Sequence, residues 1–182
     1  MQTVTLNVVN RVNGGRQHEM AGSAGWDQWL ARHAPKLLLF ARQQARCEAD
    51  AHELVQDAVV EAWRRQADGS PPAPGLVFGL IHRRAIDLAR RNDRRVNRET
   101  AVHETAVVWF APEIEDRERA RLLQDALNRL PVAQREVVTL KIWGGLTFAE
   151  IAEALDIPAN TAASRYRYAL EELRKITKEV FV

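Results

Sequence analysis

The chain has 182 residues, room for one large domain or two small ones. Apolar residues make up 46% and charged residues 27%, which excludes full disorder, and no apolar run approaches the roughly 18 residues of a membrane span. The formal net charge is only +2, yet 22 of the 26 cations are Arg, the side chain suited to bidentate phosphate and carboxylate contacts.

Residues 1–24 are polar, carry no helical period and read as a disordered N-terminal tail; Thr3 to Val9 is the one stretch there with strand character. The opening MQTVTLNVVNRVNGG lacks the basic start, apolar run and cleavage site of a secretory signal. The lone Cys47 excludes an internal disulfide and suits a reducing compartment, so a cytoplasmic setting is expected.

From Trp26 the pattern turns helical. Trp26, Trp29/Leu30, His33, Leu37 and Phe40/Ala41 recur at i, i+3/i+4 spacing, and Pro35 is expected to kink or restart this helix. A second helix is predicted from Asp50, as N-cap with Glu53 three residues on, to about Arg65. DGSPPAPG at 68–75 is a loop by composition. A third helix is predicted from Leu76 to Arg95, with Leu76, Leu80, Ile81, Ala85 and Leu88 on its apolar side. Residues 99–118, containing VVWFAPEIEDRE, read as a linker with a hydrophobic anchor.

Helices resume near Arg119. Leu122/Leu123, Ala126/Leu127 and Leu130 form one stripe, ended by Pro131; Ala133, Val137 and Leu140 form another, ended by Gly144 and Gly145. Thr147-Phe148-Ala149-Glu150 is a capping box, with Leu146 and Ile151 in the staple positions. The next short helix carries Ile151, Ala152 and Leu155. Asp156-Ile157-Pro158 is a tight turn, and Pro158 suits the first position of a last helix whose inward residues are Ala162, Tyr166, Ala169/Leu170, Leu173 and Ile176. Two such helices joined by a short turn make a helix-turn-helix. The predicted fold class is all-α: a three-helix domain at 25–98, a flexible acidic linker at 99–118 and a helix-turn-helix domain at 119–182.

The near-neutral total conceals segregated charge. Residues 26–66 are balanced, 82–98 carry +5, 99–125 carry −4 and 159–178 carry +3. Two basic surfaces flanking an acidic connector point to separate nucleic-acid contacts. In a helix-turn-helix the second helix enters the major groove. Its outward residues here are Asn160, Thr161, Ala163, Ser164, Arg167 and Tyr168, with Arg165 alongside; Asn and Arg read base edges, while hydroxyls mostly hold phosphates. On the third helix Arg83, Arg84, Arg90, Arg91, Arg94 and Arg95 suit a phosphate track. Phe78 could stack on an unpaired base, with a core position as the competing reading. Glu53, Asp57 and Glu61 form an acidic stripe that reads as a solvated face or, with a partner, as the match to a basic protein surface.

Enzyme chemistry finds no foothold. His52-Glu53-Leu54-Val55-Gln56 lacks the second His of a zinc-protease helix, and the five His and one Cys show no zinc spacing. There is no Walker loop, dinucleotide fingerprint or nucleophile motif. No enzyme activity, cofactor or metal is expected.

The order of elements resembles the sigma-70 family of RNA polymerase initiation factors, specifically its short extracytoplasmic-function (ECF) type. Three stretches carry the likeness: DAHELVQDAVVEAWRR (50–65), GLVFGLIHRRAIDLARRNDRR (75–95), and ALNRLPVAQREVVTLKIWGGLTFAEIAEALDIPANTAASRYRYALEELRK (126–175). The first is similar to the family's polymerase-binding helix, the second to its helix that melts and reads the −10 element, the third to its −35-reading domain. The resemblance makes 25–98 a region 2-like domain and 119–182 a region 4-like one. It implies that Glu53, Gln56, Asp57 and Glu61 dock on core RNA polymerase. It assigns Phe78, Arg83, Arg84, Arg90, Arg91, Arg94 and Arg95 to −10 DNA, and Asn160, Thr161, Ala163, Ser164, Arg165, Arg167 and Tyr168 to −35 DNA. Core polymerase and promoter DNA are the implied partners, and an anti-sigma factor is a further one it allows; membrane insertion is not expected. The chain departs from the family pattern at Val59, where an aromatic is usual, and at Leu76 and Arg83, where Trp and Asn are frequent. Asn160, Ala162 and Ala163 stand where Gly, Val and Lys are common. These departures imply weaker melting and an altered −35 preference. A stand-alone helix-turn-helix regulator and a module that titrates an inhibitory partner are the alternatives.

Overall fold

The structure, a computed structural model, describes residues 20–66, 70–96, 108–110 and 117–180, without the side chains of 20–24, 92–96, 177, 179 and 180. The expected tail lies outside them up to residue 19, including Thr3 to Val9, as do 99–107 and 111–116 of the expected linker. Every regular element among the described residues is helical, and the chain divides into two compact units, residues 1–107 and 108–182.

In the first unit α1 spans Met20–Gln44, α2 spans Glu48–Arg65 and α3 spans Pro74–Val96. The tail therefore gives way to helix at Met20, earlier than expected. Helix α1 runs on through Pro35 rather than restarting there. Proline removes one intrahelical hydrogen bond and crowds the preceding turn. Here the turns on both sides are held in the core, by Leu30 before it and by Leu37, Leu39, Phe40 and Ala41 after it.

Helix α2 also starts ahead of the expected Asp50. Cys47 is its N-cap, and its Sγ accepts a hydrogen bond from the Asp50 N–H at 3.5 Å. Asp50 lies instead within the first turn with Glu48, where carboxylates meet the positive end of the helix dipole. The Arg42 guanidinium grips Glu48 at 2.5–3.1 Å and so ties the end of α1 to the start of α2. At α3, Pro74 occupies the first helical position, which its fixed φ favours and where no N–H is needed.

The three helices close over a shared core. Ala51, Ala58 and Ala62 of α2 are fully buried and let the neighbouring backbones approach closely. Leu37 and Phe40, Val55 and Val59, and Val77, Phe78 and Ile81 fill the space between. The Phe40 and Phe78 rings meet edge to face, 5.6 Å apart at 87°, an arrangement the ring quadrupoles favour.

In the second unit α4 spans Arg117–Asn128, α5 spans Val132–Thr139, α6 spans Phe148–Leu155 and α7 spans Ala159–Val180. Leu122 and Leu123 remain 39% exposed each, so the inward stripe of α4 begins only at Ala126 and Leu127. Helix α5 widens into a π turn at Leu140–Gly144, which Gly145 ends with a left-handed φ of 73°. The widening is closed by a hydrogen bond from the Leu146 N–H to the Leu140 carbonyl, and Lys141 Nζ donates to the Leu146 carbonyl at 3.0 Å.

The capping box forms as read. The Glu150 N–H donates to Thr147 Oγ1 at 3.2 Å, and the Thr147 N–H donates to Glu150 Oε2 at 2.7 Å. The staple residues Leu146 and Ile151 are both buried. Helix α6 ends at Asp156, left-handed at φ 53°, a conformation Asp tolerates better than most side chains. Pro158 stands one residue before α7, and its carbonyl accepts the first bonds of that helix from Thr161 and Ala162. Ala162, Ala169 and Ile176 of α7 are buried, while Tyr166, Leu170 and Leu173 are half-buried. Replacing Thr147 by Ala removes one side of the box. It should lower the stability of the second unit by about 1 kcal/mol, read as a shift of its urea midpoint.

Candidate functional site

Two surfaces are built by these elements, one in each unit. In the first unit α2 and α3 pack side by side and leave a cleft of about 400 Å³ between their outer faces. The acidic stripe of α2 and the arginines of α3 line the same cleft: Asp50, Glu53, Asp57 and Glu61 on one wall, Arg83, Arg84 and Arg91 on the other. Helical spacing predicts each face but not that they meet.

Arg84 joins them. Its Nη1 donates to Asp57 Oδ2 at 3.0 Å and its Nη2 donates to Glu61 Oε2 at 2.6 Å. Arg65 adds a further hydrogen bond to Glu61, on its other carboxylate oxygen. Burial pushes the Glu61 carboxyl up, but the hydrogen bond and charge of Arg84, with those of Arg65, more than reverse this and hold it below its ordinary value. Glu48 is also held down, chiefly by its hydrogen bond from Arg42. A carboxylate with a depressed folded pKa contributes stability that is complete above about pH 4.3 and is lost as pH falls through the folded value. The thermal midpoint of the first unit should therefore drop on acidification below about pH 4.3, and Arg84→Ala should make that drop shallower.

The remaining residues expected to touch −10 DNA divide by position. Arg83, Arg90 and Arg91 are exposed on α3, with Arg90 3.9 Å from Asp87. Arg94 and Arg95 fall on the helical backbone, but their side chains lie outside those described. Phe78 is the correction: its side chain is only 1% exposed and locked against Phe40, so its ring cannot stack on a base in this conformation. It follows Val77 and precedes Leu80 and Ile81 on a strongly apolar face, and the core claims it. Among the residues expected to dock on polymerase, Glu53 is exposed, and Gln56, Asp57 and Glu61 are partly exposed. Val59, at a position where the resemblance expects an aromatic, is fully buried.

In the second unit the capping box and the Asp156 turn set how α7 leaves α6. The Phe148 ring meets Tyr166 edge to face at 5.7 Å, fixing the two helices side by side. Asn160, Arg167 and Tyr168 are exposed on α7, and Thr161, Ala163, Ser164 and Arg165 are partly exposed. The Arg167 guanidinium lies over the Tyr168 ring at 4.9 Å, which holds both side chains outward. Ser164 Oγ donates to the Asn160 carbonyl at 2.7 Å, leaving its oxygen lone pairs, not its proton, for a partner.

The apolar anchor of the expected linker packs on this unit. Trp109 is 7% exposed, its backbone N–H donates to Gln124 Oε1 at 2.9 Å, and Arg135 stacks over its ring at 5.1 Å. Phe110 meets Trp143 at 5.7 Å. Desolvation beneath the anchor pushes the Arg135 guanidinium down from its ordinary pKa. Gln124, Arg135 and Trp143 were not singled out by the sequence reading. Only the presence of two large aromatics in an acidic stretch signalled that some receptor surface had to exist.

Among the described residues no group of three or more His, Cys, Asp or Glu is placed to hold a metal, and no helix is long and apolar enough to cross a membrane.

Comparison with known proteins covers both units. The family model for sigma-70 region 2 matches residues 29–95, and that for sigma-70 region 4 matches residues 120–173. The ECF RNA polymerase sigma factor SigK of Mycobacterium ulcerans is 32% identical over 134 residues, 68% of this chain and 70% of the relative. The ECF RNA polymerase sigma factor SigM of Mycobacterium tuberculosis is 30% identical over 163 residues, 87% of this chain and 80% of the relative. Among solved structures, the sigma factor RpoE crystallised with the anti-sigma factor NepR from Bartonella quintana superposes with a TM-score of 0.68 at 24% identity, covering 84% of this chain and 96% of that one.

Proposed function

Because the chain belongs to the sigma-70 family, as an ECF RNA polymerase sigma factor acting in transcription initiation, we propose that its two helical units divide the work of promoter use between them. The first unit, centred on residues 25–98, docks on core polymerase through Glu53, Gln56, Asp57 and Glu61. It contacts −10 DNA through Arg83, Arg84, Arg90, Arg91, Arg94 and Arg95. The second, centred on residues 119–182, reads the −35 element through Asn160, Thr161, Ala163, Ser164, Arg165, Arg167 and Tyr168. Residues 99–118 connect the two units, with Trp109 fastening the connector to the second. The observation that carries this reading is one chain holding both a basic helix lined with acids and a capped helix-turn-helix.

The mechanism is one of placement. The α7 face inserts polar groups into the major groove, where Arg and Asn discriminate base edges and each good bidentate contact is worth about 1–3 kcal/mol. The α3 arginines hold the phosphates of the −10 strand without reading sequence. The acids of α2 meet a basic surface of the polymerase. The chain performs no bond chemistry itself; the polymerase supplies the active site, and the shared place of action is the cytoplasm. An anti-sigma factor is a further partner, a role supported by the solved relative bound to one.

A conventional helix-turn-helix regulator would bind as a dimer to a palindrome. Footprinting with core polymerase present separates the two. A monomer should protect two unlike elements about two helical turns apart; a symmetric site protected without polymerase would overturn the proposal.

A further inference from the structure

We propose that Arg84 couples polymerase docking to DNA contact, by occupying in the free protein the acids that a polymerase cation takes over in the complex. The inference rests on the roles given above to α2 and α3. Asp57 and Glu61 are one helical turn apart and form a fork, and Arg84 reaches across from α3 to fill it. A guanidinium engaged with two carboxylates is withheld from phosphate. The two carboxylates are likewise neutralised against any basic partner. The free protein thus masks a docking group and a DNA group in a single contact.

The lock is weak enough to open. Arg84 is 35% exposed, Asp57 39% and Glu61 30%, so water screens the pairs and no deeply buried charge is stranded when they part. Glu61 keeps Arg65 as a second partner. When a cationic side chain of the polymerase takes Asp57 and Glu61, Arg84 is released beside Arg83 and Arg91, which line the same cleft, and joins their phosphate track. Binding of either partner then favours the other by the same factor, as linkage requires.

The test is a double-mutant cycle on the full chain. The variants are Asp57→Asn with Glu61→Gln, Arg84→Ala, and all three together. Affinity for a fluorescein-labelled 15-nucleotide oligo-dT is measured by anisotropy without polymerase, across a range of salt. The carboxamide pair should free Arg84, tightening oligo-dT binding about fivefold or more and steepening the log–log salt slope by about 0.7. In the Arg84→Ala background the same pair should leave the slope unchanged, with only a small gain from the lost negative charge. Equal gains and equal slopes in both backgrounds would overturn the proposal. The second arm is affinity for core polymerase from the same organism. Arg84→Ala should tighten it, because a competitor for the acids is gone. Weaker binding, with the circular dichroism melt unchanged, would show that Arg84 only positions the acids and would equally overturn the proposal. Failure of the wild-type chain to bind core polymerase would instead sink the docking role on which the inference stands.

Discussion

Phe78→Ala should cost the first unit about 3–5 kcal/mol, close to the whole stability of many small domains. The side chain is essentially fully buried and packs edge to face on Phe40, and Leu37, Val55 and Ile81 are fully buried side chains of the same unit. Truncation removes the transfer energy of the ring and leaves a cavity that three packed helices cannot collapse to fill. The measurement is the urea midpoint of a tryptophan-monitored unfolding curve. Phe78→Leu should recover much of the loss, since it restores most of the volume. A Phe78→Ala protein that melts normally but no longer binds single-stranded −10 DNA would return Phe78 to the base-stacking role that the sequence also allowed.

The second large effect is on promoter use. Replacing Arg165 and Arg167 together by Ala should lower transcription from a −35-dependent promoter by roughly 30-fold or more, from two lost contacts at about 1–3 kcal/mol each. Neither side chain contributes to the core of the second unit: Arg167 is exposed against Tyr168, and Arg165 is half-exposed. The urea midpoint and the affinity for core polymerase should therefore be unchanged. Full activity in the double variant would remove α7 as the −35 reader.

What was legible in the sequence was local. Thr147 and Glu150 are three residues apart, so the capping box depends on nothing beyond its own turn, and it formed as written. The outward phase of α7 follows from helical spacing, and Asn160, Arg167 and Tyr168 are indeed exposed. Family likeness supplied what spacing could not, namely that one chain holds region 2 and region 4 in that order. The misreadings share a different cause. Pro35 signals a kink or a restart by local rules; the restart does not occur, because core contacts on both flanks carry α1 through it. Asp50 is a good N-cap by type, yet Cys47 takes the position and leaves Asp50 to the dipole of the first turn.

The cleft was the least legible feature. Asp57 and Glu61 were readable as a stripe, and Arg84 as part of a basic run. Their pairing spans 23 to 27 residues and exists only because α2 and α3 lie side by side. A residue's neighbours on its own helix define the face it occupies; the partner across the interface is a tertiary fact. The same holds for Trp109, whose receptor is assembled from Gln124 and Arg135 on two different helices.

Run-off transcription with purified core polymerase tests the central claim most directly. The template is DNA that co-purifies with this protein and polymerase. Core alone should give no discrete product; added protein should give one transcript of defined start, lost again with Arg165→Ala and Arg167→Ala. No stable complex with core and no promoter-dependent transcript, from a chain that is folded by circular dichroism, would contradict the account.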